Sequence, residues 1–489
     1  MKGRTLKTNF AINVFGALVP LAVALVTVPI YVRHIGDARY GVLSIVWVLL
    51  GYFGFLDLGL SRASANALAR LRNAPREARA RVLVTTLVLN LGLGLFGSAC
   101  LAIFGSYLLQ HVLTVPEMLK PEIAQAFPWI VGLFPLALLS GVGIGALESR
   151  EHFLLANVLQ VSGMSLGQIV PVILAVMVGP SLTIVIPAAA IARALTVAAT
   201  LVAVYRDEGP LSWAAFDKHQ AKKLLSYGGW VSVSGVISPI LTSLDQLVIG
   251  SVLNVAAVAH YAVPMNLILR SQILPSAMTR TLFPRFSHSE VGDANMLAKS
   301  SAIFLACSYA VLVGPGIFAM HSFMQLWLGS DFAVNARGVG EILLVGAWIN
   351  GLAFIPGGLL QARGRPDVVA KFHVLELFPF LGILWVSAHF FGLPGIAAAW
   401  TIRVSSDAVL LFVASGILDL SLILRLSLLL SLLLVAMSTV LIFDFSLTEA
   451  AVAAFVSTVI IALVSGYIDM RFRKLIVSVL TLRPNVGAL

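Results

Sequence analysis

Runs of twenty or more apolar residues recur along this chain, and no other feature restricts its fold as strongly. The hydrocarbon core of a bilayer, roughly 30 Å thick, is crossed by a helix of about 20 apolar residues. Fourteen such runs lie near 9–31, 41–61, 82–109, 127–147, 154–178, 182–205, 226–252, 256–281, 300–320, 338–361, 369–391, 394–417, 426–443 and 449–468. Charged residues make up only 11% of the chain and hydrophobic ones 59%, whereas soluble domains carry about 25% charged residues. A soluble core of 489 residues has no room for so much apolar surface, so the surrounding solvent must be lipid. Barrel strands alternate with a period of two over about ten residues, and the stretches 426–441 and 450–464 do not alternate. The sequence therefore predicts an all-α polytopic membrane protein with fourteen transmembrane spans.

Lysine and arginine set the orientation, because cytoplasmic loops carry their excess. With the N-terminus in the cytoplasm and the spans alternating, 25 of the 32 basic residues fall on the cytoplasmic side. Four (Arg33, Arg39, Lys120 and Arg337) fall opposite, and three (Arg193, Arg270 and Arg403) lie inside spans. The net charge of +10 is thus mainly a topology signal. No soluble basic region is present to bind nucleic acid. The first run follows Lys2, Arg4 and Lys7 but has no small-residue cleavage site before Pro29, so it reads as a retained span. The longest loops on the far side run from about Gln110 to Ala126 and from His321 to Arg337, too short for a catalytic domain.

The sequence repeats weakly at a spacing of 210 to 221 residues. Gly16 to Pro20 (GALVP) answers Gly235 to Pro239 (GVISP), and Tyr40-Gly41 answers Tyr261-Ala262. Leu147 to Arg150 before Ala156-Asn157 answers Gln361 to Gly364 before Ala370-Lys371. Gly179-Pro180 followed by Arg193 answers Gly392-Leu-Pro394 followed by Arg403. The matches keep one order. They predict a six-span unit, spans 1–6, repeated as spans 7–12 in the same orientation. Such copies are related by an axis along the membrane normal, with a binding site between them near the midplane. Spans 13 and 14 stand outside the repeat. The expected divisions are a lobe over 1–207, a cytoplasmic linker over 208–225, a second lobe over 226–417, and two extra spans with a tail over 418–489.

Two six-span repeats followed by two further spans resemble the multidrug/oligosaccharidyl-lipid/polysaccharide exporter superfamily. The segments Arg39 to Ser44 (RYGVLS), Gly51 to Arg62 (GYFGFLDLGLSR) and Leu244 to Gly250 (LDQLVIG) resemble its polysaccharide transporter branch. The resemblance covers nearly the whole chain. It implies a flippase that moves polyprenyl-diphosphate-linked oligosaccharide from the cytoplasmic to the periplasmic leaflet of the bacterial inner membrane, with both termini cytoplasmic. It also implies that spans 13 and 14 guide the lipid tail; from the residues alone, packing or partner contact is an equal reading. Span 1 lacks the acidic residue of many drug exporters, and spans 1 and 2 lack the mid-membrane arginine of peptidoglycan-precursor flippases. Both departures favour the O-antigen or exopolysaccharide branch.

An arginine at the bilayer centre costs about 2.5–3.5 kcal/mol on an insertion scale. Arg193 in span 6, Arg270 in span 8 and Arg403 in span 12 must therefore face a cavity or a partner. Arg403 has Asp407 four residues on, on its own face, while the position equivalent to Asp407 after Arg193 is Val197. Guanidinium binds phosphate oxygens as a bidentate fork and keeps its charge. Arg193, Arg270 and Arg403 are therefore expected to attract a substrate diphosphate. The competing reading is interhelical salt bridging to Asp245 or Glu376. Asp245, Glu376 and Asp407 are candidate coupling groups or counter-ions, since buried carboxylates can exchange protons or bind cations. His373 lies one turn before Glu376, and as a single intramembrane histidine it is weak evidence for a proton relay. Asp57 and Arg62 read as a gate or an interface anchor, a structural rather than a substrate-binding role. The Arg62–Arg81 run reads as mostly topogenic, with attraction of anionic lipid head groups as a secondary role. No metal-ligand spacing, phosphate loop or nucleophile grouping is present, so no cofactor and no catalytic residue is expected. The partners expected are the lipid-linked oligosaccharide, membrane lipids and other polysaccharide-assembly membrane proteins. The rival functions are a cation-coupled drug or metabolite antiporter of the same superfamily and a glycan ligase or polymerase.

Overall fold

A computed structural model describes residues 6–53, 57, 59–71, 74–108, 112–222, 224, 241 and 243–480. Among the described residues there is no strand. Ten helices are long and apolar enough to cross a membrane, in line with the all-α polytopic reading. The span expected over 226–252 lies mostly outside the described residues. The chain forms two compact units, Met1–Ala259 and His260–Leu489.

The first unit contains α1 (Leu6–Phe53), α2 (Leu60–Arg70), α3 (Arg76–Tyr107), α4 (Lys120–Ser149), α5 (Phe153–Met177) and α6 (Leu182–Glu208). Helix α1 consists of two helices meeting at Gly36, whose φ of 80° lies in the left-handed region that glycine adopts without a Cβ penalty. Tyr31 and Tyr40 face each other across that turn, ring centroids 6.0 Å apart. Beyond it, Arg39 grips Glu122 at the start of α4 through Nε (3.0 Å) and Nη2 (2.6 Å). The second oxygen of Glu122 also accepts the Leu182 N–H at 2.9 Å, satisfying a donor of the first turn of α6. One carboxylate thus ties three helix ends together at one end of the bundle.

Gly41 explains part of the RYGVLS segment. A Cβ on it would lie 1.5 Å from the Val255 carbonyl oxygen, and neither backbone can yield. Gly41→Val should cost about 3 kcal/mol, the upper end of typical overpacking penalties. The check is monodispersity and apparent Tm of the purified protein in detergent; wild-type values would refute it.

At the other end of these helices, one arginine of the 62–81 run is a structural one. Arg79 is 1% exposed. It donates through Nε to both oxygens of Glu208 (3.1 and 3.0 Å), through Nη1 to the Leu68 carbonyl (2.6 Å) and through Nη2 to Ser149 Oγ (3.2 Å). Arg150 adds Nε and Nη2 to the same carboxylate, each at 2.9 Å. The ends of α2, α3, α4 and α6 meet on this one ion cluster. It sits against an apolar cluster of Leu68, Leu83, Val142, Leu147 and Val204. In the segment after α6, Asp217 accepts the backbone N–H of His219 (2.7 Å) and Gln220 (3.3 Å). These hydrogen bonds hold its carboxyl below the usual carboxylate range.

The second unit contains most of α7 (Val255–Ser271), then α8 (Ile273–His288), α9 (Val291–Leu328), α10 (Ser330–Asn335), α11 (Val339–Ala362), α12 (Pro366–Ser415), α13 (Leu420–Ile442), α14 (Leu447–Ile468) and α15 (Met470–Leu480). One span was expected over 256–281; two helices stand there. Pro275 has no N–H for the Ser271 carbonyl, and the helix breaks at that point. Helix α11 is apolar around its whole circumference and is buried accordingly, packed against α8, α9 and α12. Its Trp348 indole N–H donates to the Ala306 carbonyl at 3.0 Å. Helix α12 turns back on itself at Gly392, φ 60°. Lys299 of α9 pairs with Asp419, which also accepts the Leu422 N–H at 2.8 Å and caps α13. Those two contacts hold the Asp419 carboxyl below its ordinary range, that of Lys299 foremost. Helix α15, not foreseen as an element, packs back on α9. Phe472 stands edge-on to Phe304 at 6.3 Å, and Arg471 donates to the Ser300 carbonyl.

Candidate functional site

Ser181 opens α6 as its N-cap, its Oγ accepting the Thr183 N–H at 3.2 Å. Three turns later α6 presents Arg193 to a cavity of about 290 Å³ inside the first unit. Four helices wall it. Alpha-2 contributes Ser61, α4 Ser140 and Glu148, α5 Gln160, and α6 Thr196 and Thr200. Small residues keep the space open; a Cβ on Gly163 would meet the Thr196 methyl at 2.6 Å. The Thr196 and Thr200 hydroxyls donate to carbonyls one turn back at 2.7 and 2.8 Å, so their oxygens remain as acceptors. Arg193 is half-buried, and among the described residues it makes no hydrogen bond or ion pair. Glu148 lines the same cavity without pairing with Arg193, so the guanidinium is left able to bind an added anion.

The hairpin of α12 assembles the second set. Arg403 Nη1 lies 3.6 Å from Glu376 Oε2, and its guanidinium carbon is 5.6 Å from the centre of the Phe380 ring. Asp407 Oδ1 lies 3.8 Å from His373 Nε2. The side chains of Arg403, Glu376 and Asp407 are 9%, 6% and 9% exposed. Residues 373 and 376 on one limb therefore meet 407 and 403 on the other, as an antiparallel turn at Gly392 requires. Two carboxylates and one guanidinium leave a negative charge that a proton on one of these groups would balance. Arg403 is thus neutralised across the helix pair, by Glu376 as well as by the acid in its own helix. His373, a single residue in sequence, has an acidic neighbour in space.

Arg270 is exposed in the last turn of α7, and among the described residues it has no ion pair. Asp245 is fully buried, one oxygen accepting the Gln246 N–H at 2.8 Å. Asp57 accepts the Ser61 hydroxyl at 2.6 Å and the Ser61 N–H at 3.2 Å, fixing the start of α2. Arg62 follows on α2, and its side chain lies outside the described residues. Among the described residues no group of three or more His, Cys, Asp or Glu side chains could hold a metal ion.

Residues 6–290 match the family described as polysaccharide biosynthesis protein. A putative O-antigen transporter of Shigella flexneri is 29% identical over 408 residues, covering 82% of this chain and 96% of that one. The lipopolysaccharide biosynthesis protein WzxC of Escherichia coli K12 is 23% identical over 177 residues, 35% of each chain. Among solved structures, the lipid II flippase MurJ in an inward closed conformation aligns with a TM-score of 0.72 at 12% identity, over 96% of this chain and 99% of that one. An inward-facing MATE family transporter of the MOP superfamily aligns with a TM-score of 0.66 at 16% identity, over 84% and 98%. These two likenesses concern the fold. By the match over more than half its length, the chain is a multi-pass membrane protein of the polysaccharide biosynthesis protein family.

Proposed function

We propose that the protein is a flippase carrying polyprenyl-diphosphate-linked oligosaccharide across the bacterial inner membrane for O-antigen, capsule or exopolysaccharide synthesis. The observation that carries this reading is Arg193, a cation that makes no ion pair among the described residues, in a polar cavity lined also by Glu148. The names of the relatives support it. Arg193 is the primary diphosphate ligand in this reading, joined by Arg270 and Arg403. Glu376, Asp407 and Asp245 act as counter-ions or coupling groups. The lobes over 1–207 and 226–417, joined by the 208–225 linker, alternate access to the substrate. The spans over 418–489 accompany the lipid tail, and both termini lie in the cytoplasm. The protein is a transporter and performs no bond chemistry. Its partners are the lipid-linked glycan, the surrounding lipids and the other membrane proteins of the assembly pathway.

The test is deletion of the gene, followed by analysis of the lipid-linked glycans. The expected result is loss of surface polysaccharide with accumulation of the complete lipid-linked repeat unit, shielded from a periplasmic glycan-modifying enzyme. A truncated repeat unit would point to an enzyme instead. Accumulation on the periplasmic side would point to a step after translocation.

A further inference from the structure

A second polar cavity, of about 200 Å³, lies within the second unit. It sits where α11 begins and α13 ends, at the membrane edge away from the Lys/Arg-rich loops. Helix α9 contributes His321, the turn before α11 Arg337 and α11 itself Glu341; Leu441 comes from α13, and Phe443, Asp444 and Phe445 from the segment after it. Glu341 is 1% exposed. Its carboxylate accepts from the backbone of Gly338 and from its own N–H. Its Oε2 is buried and, among the described residues, has no hydrogen-bond partner. The His321 ring likewise makes no hydrogen bond among them. Arg337 reaches Asp444 at 2.6 Å, with side chains 45% and 85% exposed, so that pair opens readily to another ligand. Apolar Leu441, Ile442 and Phe443 lie exposed beside the opening.

A buried carboxylate oxygen without a donor calls for a cationic or strongly donating group. A diphosphate would be repelled by it, and with Asp444 already paired to Arg337 the remaining single carboxylate is a poor site for a metal ion. A ligand carrying an ammonium and a phosphate on a short link satisfies both signs: ammonium on Glu341, phosphate on Arg337 and His321. The bilayer itself supplies that pair of groups at this depth, and the exposed apolar strip offers a path for acyl chains. We propose that this cavity binds the headgroup of an aminophospholipid, of the phosphatidylethanolamine class. The proposal is independent of the transport reading, because binding is measured without transport.

The purified full-length protein, delipidated in detergent, is offered phosphatidylethanolamine, its N-methylated series through phosphatidylcholine, and phosphatidylglycerol, all with the same chains. Retained lipid is read by native mass spectrometry. We expect phosphatidylethanolamine to be held about tenfold more tightly than phosphatidylcholine, as loss of the charge-assisted N–H donors predicts. Retention should fall stepwise along the methylated series, which requires no variant. Glu341→Gln should erase the preference, and Arg337→Gln should weaken phosphatidylethanolamine and phosphatidylglycerol alike. Equal retention across the methylated series, tightest binding of phosphatidylglycerol, or an intact preference in a folded Glu341→Gln protein would each overturn the proposal.

Discussion

Replacing Arg79 by alanine is expected to destabilise the protein by about 3–5 kcal/mol, the cost of leaving one partner of a buried ion pair behind. In a detergent melt that corresponds to a fall in apparent Tm on the order of 10 °C. The size follows from what the guanidinium holds. It satisfies Glu208, the Leu68 carbonyl and Ser149 Oγ at once, and so joins the ends of four helices. Arg150 alone cannot compensate, because its side chain is 30% exposed while that of Glu208 is 2% exposed. Arg79→Lys should recover less than half of the loss, since an ammonium cannot reproduce the planar fork. Arg79→Met combined with Glu208→Leu should be milder than Arg79→Ala, because no charge is then stranded. A Tm for Arg79→Ala within about 2 °C of wild type would remove the cluster from any structural role.

Arg193→Ala is expected to act in the opposite way. Surface polysaccharide should fall by about 10- to 100-fold at matched protein level, the equivalent of one charge-assisted hydrogen-bonded contact of about 1.5–3 kcal/mol. Arg193→Lys should fall between alanine and wild type. Thermal stability should hold or rise slightly, because removing Arg193 strands no acidic partner and relieves a desolvated charge. Arg403→Ala offers the contrast. It leaves Glu376 and Asp407 facing each other without their cation, so stability should drop together with transport. Normal polysaccharide from Arg193→Ala would end the assignment of a phosphate ligand there. A melting temperature that falls as far as in Arg79→Ala would show Arg193 to be structural.

The transmembrane helices were legible because lipid admits few solutions: long apolar runs must be helical wherever backbone groups have no water. Their ends were not. Helix α9 was expected over 300–320 and runs Val291–Leu328, because polar residues such as Asp293 and Lys299 continue the helix beyond the apolar core. The cost of Arg193 and Arg403 inside apolar runs was equally plain in sequence. Their different surroundings were foreshadowed by Asp407 and Val197, yet the Glu376 contact depends on a fold-back at Gly392 that no short window reveals. The same hairpin gives His373 its acidic neighbour. Arg79 was hidden differently. It stands in a run of arginines whose net effect is orientation, and its partner Glu208 is 129 positions away. Charge content alone cannot separate a topogenic arginine from a buried one.

The turns at Gly36 and Gly392 bear on how this protein can be handled. Each joins two helices through a single non-helical residue, so almost no free chain is offered at either place. An epitope inserted at 36 or 392 would have to pry two packed helices apart, and an antibody would find little to grasp there. The non-helical, largely exposed segments 210–212 and 443–446 are where tags, labelling cysteines or binding reagents should be directed. The second of these borders the cavity beneath Glu341, so a reagent seated there would also report on what that cavity holds.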